Sequence, residues 1–189
     1  MHPSEDALRW NIRYLQGWYS GDPQPPHLLL EHAGLLPTSG LALDAAMGLG
    51  GAASFLLEHG LRVIGVDISV VASTQAKRRF PALSAVVADL SVFYLPPATF
   101  DVICNFYYLN RSLWGEYRRA LRKGGLLIIE TLTRAMLEQK PDIDPGYLLE
   151  PGELRQAFED WQILFYDEGW TQAEHGTPHA VASLVARFN

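Results

Sequence analysis

A parallel α/β sheet covered by helices and finished by an antiparallel hairpin is the architecture the sequence predicts. Three observations carry it. From residue 41 to residue 132, short apolar runs alternate with amphipathic helical stretches. The connections between them are short, as in strand–helix–strand units whose sheet is covered on both faces. The last two apolar runs, 161–170 and 179–188, are separated only by residues 171–178. That is too short for a crossover helix, so the two runs pair antiparallel.

Taken in order, residues 4–18 read as a helix, with Ser4 as N-cap and Glu5 and Asp6 on the positive end of the dipole. Trp10, Tyr14 and Trp18 are spaced by four and are expected on one face, either as packing or as an aromatic cover over a ligand. A DPQPP linker (22–26) leads to a short helix over about 27–36, stopped by Pro37. LALDAAM (41–47) is the first strand and its exit. GAASFLLEHG (51–60) is a helix closed by Gly60, and RVIGVDI (62–68) is a buried strand. Ser69 caps a helix that ends near Lys77, Arg78 and Arg79. LSAVVADL (83–90) and FDVICNF (100–106) are the third and fourth strands. Asn110 is expected to cap a helix that turns Leu113, Tyr117, Ala120 and Leu121 inward and closes at Gly124-Gly125. LLIIETL (126–132) is the fifth strand. The basic groups at 77–79 and 118–123 then fall in last turns of helices, complementing the dipole. Beyond a loop (133–149), Pro151 starts a helix carrying Leu154, Ala157 and Phe158 on one face, before the hairpin.

Composition narrows the function. At 189 residues the chain is expected to form one domain, with residues 1–26 as an N-terminal helix and linker able to act as a lid. Apolar residues make up 48% and charged residues 19%, which excludes general disorder. The net charge of −6, with no basic block, disfavours nucleic acid as a partner. No apolar run reaches the roughly 18 residues of a membrane span, and the acidic start does not read as a signal peptide. Cys104 is the only cysteine, so no intrachain disulfide and no cysteine-cluster zinc site is expected. A lone thiol fits a reducing cytoplasm.

In doubly wound sheets the ligand lies at the carboxyl ends of the strands. Here those ends carry Asp44 with Ala46, Gly48 and Gly50, then Asp67, Asp89 and Asn105. Gly48 and Gly50 allow a tight turn that a ligand can approach. Asp67 follows Gly48 by 19 residues, where a carboxylate can accept both hydroxyls of an adenosine ribose. Asp44 separates two kinds of adenosine ligand. Near a pyrophosphate, like charges about 5 Å apart would repel by roughly 3 kcal/mol at an effective dielectric near 20. S-adenosylmethionine has no phosphate, and its ammonium and sulfonium favour acidic groups. Asp89 suits the adenine amino group.

LALDAAMGLGGAASFLLEHGLRVIGVDIS, VVADL, FDVICNF and LRKGGLLIIE resemble, in order and spacing, the motifs of class I S-adenosylmethionine-dependent methyltransferases over roughly residues 38–132. LEPGELRQAFEDWQILFYDEG and VASLVARF resemble the end of the tellurite-resistance, TehB-like members. The resemblance implies a Rossmann-like, doubly wound seven-stranded sheet of order 3-2-1-4-5-7-6 with strand 7 antiparallel. It implies S-adenosyl-L-methionine as cofactor, with S-adenosyl-L-homocysteine as product. The implied contacts are Asp44, Ala46, Gly48 and Gly50 around the methionine moiety and Asp67 with Ile68 at the ribose. Ala88, Asp89 and Leu90 fall at the adenine, and Asn105 and Phe106 beside the transferable methyl. Ala46 replaces the first glycine of the family's triplet, so a shifted contact with retained binding is expected.

The acceptor side transfers poorly. Where the tellurite enzymes carry a His-Arg pair and a strand arginine, this chain has His175-Gly176 and Ala180. The acceptor-side candidates are Tyr19, Tyr107, Tyr108, His175 and His179, with no metal implied. Three functions fit: a methyltransferase acting on a small molecule, a non-catalytic S-adenosylmethionine-binding module, and a nicotinamide-dependent oxidoreductase. Asp44 and the lack of a Tyr-x-x-x-Lys relay after strand four disfavour the last.

Overall fold

The computed structural model describes residues 4–18, 21–172 and 178–189. Seven strands form one sheet: β1 (Leu41–Ala45), β2 (Arg62–Asp67), β3 (Ser84–Val87), β4 (Phe100–Phe106), β5 (Leu121–Leu132), β6 (Gln162–Gln172) and β7 (Pro178–Arg187). Their order is β3-β2-β1-β4-β5-β7-β6. β1, β2 and β3 pair parallel, as do β4 and β5, whereas β7 runs antiparallel to both β5 and β6. This is the expected doubly wound order. The chain divides into two compact units, 1–95 and 96–189.

The first unit holds α1 (Glu5–Leu15), α2 (His27–Glu31), α3 (Gly51–Glu58) and α4 (Val70–Arg79) with β1–β3. β1 and β2 are apolar because both faces are covered: Ala42, Leu43, Ala45, Val63 and Val66 are buried. Gly65 serves that packing. A Cβ there would meet Met47 Sδ at 2.1 Å, so the glycine lets the methionine lie against the strand. Ser4 and Ser69 cap α1 and α4 as expected, accepting from the amides of Ala7 and Ala72.

One expectation for α1 changes. The helix ends at Leu15, and Gly17 takes φ +73, so Trp18 leaves the Trp10–Tyr14 face. Trp10 and Tyr14 keep ring contact at 6.2 Å, while Trp18 is 63% exposed. The Arg13 guanidinium lies over both indoles, 4.9 Å from Trp10 and 5.2 Å from Trp18.

The second unit holds β4–β7, α5 (Leu113–Ala120) and α6 (Glu153–Ala157). Its core is the central sheet, with Val102, Ile103, Cys104, Leu126–Ile129 and Leu184–Ala186 buried. Each large aliphatic side chain buried this way contributes about 1.5–3 kcal/mol. Around the sheet end, Trp114, Phe158, Trp161 and Phe188 form a chain of ring contacts, with Arg118 over Phe158 and Trp161.

Two boundaries differ from expectation here. α5 stops at Ala120 and Leu121 already pairs with Phe100, so Arg122 and Lys123 sit on β5 rather than in a helix end. Arg122 pairs instead with Asp101 at 2.7 Å. The backbone is free to turn there because Gly124 takes φ +79. Asn110 does not cap α5 directly: its Oδ1 accepts from the Ser112 amide and hydroxyl, forming a turn one step earlier.

Asn105 and Tyr117 are both fully buried, and Asn105 Nδ2 donates to Tyr117 Oη at 2.9 Å. Tyr117→Phe strips the asparagine amide of that partner and should destabilise the chain by about 1–3 kcal/mol. Urea denaturation checks this; an unchanged midpoint would show that the bond carries no net stability.

Candidate functional site

Of the sequence-predicted cofactor residues in the first unit, Asp44, Ala46, Gly48, Gly50 and Asp67 meet at one turn, whereas Asp89 lies beyond β3. β1 leads out through Ala45 into Ala46-Met47-Gly48-Leu49-Gly50, and α3 begins at Gly51. Ala46, Gly48 and Gly50 take φ +58, +54 and +84, so the left-handed backbone recurs at alternate residues. At Gly48 the opening is used, since a Cβ there would meet Tyr14 Oη at 2.8 Å. Ala46 holds a conformation that costs an L-residue about 1–2 kcal/mol. It is the position where the related motif carries glycine.

Two carboxylates tie the turn down. Asp67, at the end of β2, accepts from Gly48 N–H at 2.9 Å through Oδ2 and from Ser69 N–H at 2.8 Å through Oδ1. Asp44, at 2% exposure, accepts from Ala53 N–H at 2.9 Å in the first turn of α3. Burial pushes the Asp44 carboxyl up to about 7, against the Ala53 hydrogen bond, and the Asp67 charge adds to the rise. Burial also raises Asp67, opposed by its bonds from Ser69 and Gly48. Asp89, half-buried just beyond β3, accepts from the Ser91 amide and hydroxyl through Oδ1. Ala88 N–H donates to Asp67 O, carrying the β2–β3 pairing one residue past the strand.

Asn11 was not singled out from sequence as a site residue, whereas Tyr14 was expected as packing or as an aromatic cover. Asn11 Oδ1 accepts from Ser69 Oγ at 2.7 Å and from Val71 N–H at 3.2 Å, which docks α1 on the start of α4. A polar residue between Trp10 and Tyr14 on a packed face was the available signal. The linker follows the same course: a Cβ on Gly51 would meet Gln24 O at 2.3 Å, and Arg79 holds Gly21 O and the Asp22 carboxylate.

In the second unit, Asn105 and Phe106 close β4, and the Asn105 amide is turned toward Tyr117 on α5, with Oδ1 lacking a partner among the described residues. Tyr107 follows at φ +57, its N–H bonded to Glu130 O, and its ring meets His179 on β7 edge-on at 5.8 Å. Tyr108 is half-buried beyond them. Tyr19 and His175 lie outside the described residues.

The donor set fits a cationic adenosine ligand. It offers buried carboxylates at the ends of β1 and β2 and a glycine turn that side chains approach closely, Tyr14 at Gly48 and Phe80 at Gly50. Comparison with known proteins agrees. Residues 42–125 match a family described as a methyltransferase domain. A probable S-adenosylmethionine-dependent methyltransferase of Mycobacterium tuberculosis is 33% identical over 98 residues, covering 49% of this chain and 35% of its own. The chain thus spans about a third of that relative's length. An S-adenosylmethionine-dependent methyltransferase of Methanosarcina mazei shares the fold with a TM-score of 0.71 at 16% identity, over 87% of this chain and 98% of that one. TehB of Haemophilus influenzae does so with a TM-score of 0.73 at 16% identity, over 94% and 66%. Residues 42–125 thus carry the sequence match to a methyltransferase domain, and the fold is the one seen in S-adenosylmethionine-dependent methyltransferases, TehB among them.

Because Asp44 titrates near 7 when folded but near 3.8 as a free side chain, the folded state holds an extra proton between those values. The stability this gives is full below about pH 4 and is lost as pH rises to about 7, by up to roughly 4 kcal/mol. Asp44→Asn removes that slope. Urea unfolding of both proteins from pH 4 to 7.5 should show the variant gaining on the wild type as pH rises. A constant difference would contradict it.

Proposed function

We propose that the chain transfers the sulfonium methyl of S-adenosylmethionine to a small-molecule acceptor by direct displacement. The observation that carries this reading is the pair of buried carboxylates, Asp44 and Asp67, around the Gly48 turn. A phosphate ligand would be repelled there, whereas an ammonium and a sulfonium would relieve the burial of both acids.

When bound, S-adenosylmethionine supplies an activated methyl and a leaving group that departs neutral. The chain's own residues bind, align and exclude water. In this reading Asp67, with Ile68, receives the ribose hydroxyls, each oxygen keeping a lone pair beyond its backbone bond. Asp44, Ala46, Gly48 and Gly50 shape the methionine side. Ala88, Asp89 and Leu90 take the adenine, and Asn105 and Phe106 keep the place at the β4 end that the resemblance gives them. Alignment alone can lower such a barrier by about 7–11 kcal/mol. No base is required unless the acceptor carries a proton at working pH. The acidic balance supports a small molecule over nucleic acid. Among the described residues no helix is long and apolar enough to cross a membrane. The lone buried thiol of Cys104 supports a reducing, cytoplasmic setting.

We read residues 1–189 as one methyltransferase domain whose N-terminal segment covers the donor side. Tyr14 above Gly48 and Asn11 on Ser69 support this cover.

Asp67→Ala removes two charge-assisted bonds to the ribose, about 3 kcal/mol or more, so affinity for S-adenosylhomocysteine should fall at least a hundredfold. Calorimetry on the folded variant measures this, and unchanged affinity would remove Asp67 from the site. Detection of S-adenosylhomocysteine in a screen of thiols, amines, phenols and metalloid oxyanions tests turnover. A chain that binds the donor without turnover on any of them is a binding module instead.

Limited proteolysis addresses the cover. Cleavage near residues 20–26 should be rapid in the free protein and suppressed by S-adenosylhomocysteine. Equal rates in both states would mean a permanently docked helix.

A further inference from the structure

The second unit gathers a feature that donor binding does not use. Tyr107, the first residue beyond β4, holds φ +57, a conformation rare for a bulky side chain and concentrated at functional sites. Its N–H is bonded to Glu130 O, so the strain is held by the sheet. The side chain is 46% exposed, and its ring stands at 75° to the His179 ring, with centroids 5.8 Å apart.

His179 lies at the start of β7, half-buried, with Nδ1 fully enclosed and without a hydrogen-bond partner among the described residues. The enclosed nitrogen decides the tautomer. A buried N–H with no acceptor is the costlier arrangement, so Nδ1 keeps its lone pair and the ring proton resides on Nε2. A second proton would have to sit on Nδ1, where none of the described residues receives it. Burial accordingly holds the imidazole below its usual range, and the exposed Lys140 ammonium adds to this. Among the described residues, the Tyr107 ring meets the imidazole and the Lys140 ammonium acts on it through its charge; its cross-strand neighbour on β6, Thr171, carries no charge.

We propose that Tyr107 and His179 are the acceptor-recognition pair: His179 donates through Nε2–H to an oxygen of the acceptor, and the Tyr107 ring lies against its flat face. The inference rests on the methyltransferase reading and names its substrate class. A neutral donor beside an aromatic ring matches an uncharged, flat molecule such as a catechol: one oxygen accepts the His179 hydrogen bond, the other forms the new O–CH3 bond as S–CH3 breaks, the sulfide leaves neutral, and the phenolic proton passes to water. An oxyanion is bound better by charge-assisted donors, above all the arginine fork, and neither member of this pair is one.

The test uses the full chain with S-adenosylhomocysteine bound and, for turnover, catechol and selenite as probes. Nitrogen NMR of His179, assigned by comparison with His179→Gln, should show a neutral ring protonated on Nε2 at pH 7. Catechol should be methylated in preference to selenite. His179→Gln, which keeps a donor near the Nε2 position, should hold the catechol KM within threefold. His179→Asn, whose shorter amide cannot reach it, should raise that KM more than tenfold with kcat within threefold. Both variants should bind S-adenosylhomocysteine as the wild type does. A proton on Nδ1, an imidazolium at pH 7, preference for selenite, or a His179→Asn KM equal to wild type would each overturn the proposal. So would a chain that binds S-adenosylhomocysteine and methylates neither probe. Failure of the wild type to bind S-adenosylhomocysteine would instead defeat the methyltransferase reading itself.

Discussion

The carboxylate of Asp67 holds two turns of chain at once, and the donor side of the molecule depends on it. One oxygen takes the Gly48 amide after β1, and the other takes the Ser69 amide before α4. The Ser69 N–H is buried and the Gly48 N–H half-buried, and charge-assisted bonds are the stronger kind. Ser69 in turn caps α4 and shares Asn11 with Val71. The N-terminal helix is therefore fastened to the same few atoms as the glycine turn.

Burial gives this arrangement its electrostatic character. Desolvation dominates the rise of both Asp44 and Asp67, and the Asp67 charge adds to that of Asp44. A protein that needed only a stable turn could use neutral acceptors there. Two enclosed acids lower stability near neutral pH and favour a cation, the trade often found where a site is built at the expense of the fold. The left-handed backbone at Ala46 is a second cost at the same turn.

The second unit concentrates its polarity elsewhere. Its sheet centre is apolar, and the buried Asn105 reaches Tyr117 across the β4–α5 packing. Arg111 gathers the loops beyond β5 by bonding Glu153, Gly146 O and Leu148 O. That bonding raises the arginine and lowers the Glu153 carboxyl below its ordinary range. Against this ordered background, Tyr107 is left strained and half exposed at the end of β4.

The alternation of apolar runs and helices, the short final loop and the acids at strand ends were legible from residues 41–188 alone. They are local properties: a strand buried on both faces must be apolar, and a two-run segment without room for a crossover must turn back. Helix ends were less legible. Leu121 has the spacing of a helical core residue, yet pairing with Phe100 draws it into β5. Trp18 has the spacing of the Trp10–Tyr14 face, yet Gly17 breaks the helix before it. In both, a neighbour distant in sequence or a single backbone angle outweighs periodicity. The roles of Asn11, Tyr14 and Lys140, and the meeting of Tyr107 with His179, were decided by the tertiary structure. Each depends on which side chains the folded sheet brings within a few ångströms, and no spacing along the chain encodes that distance.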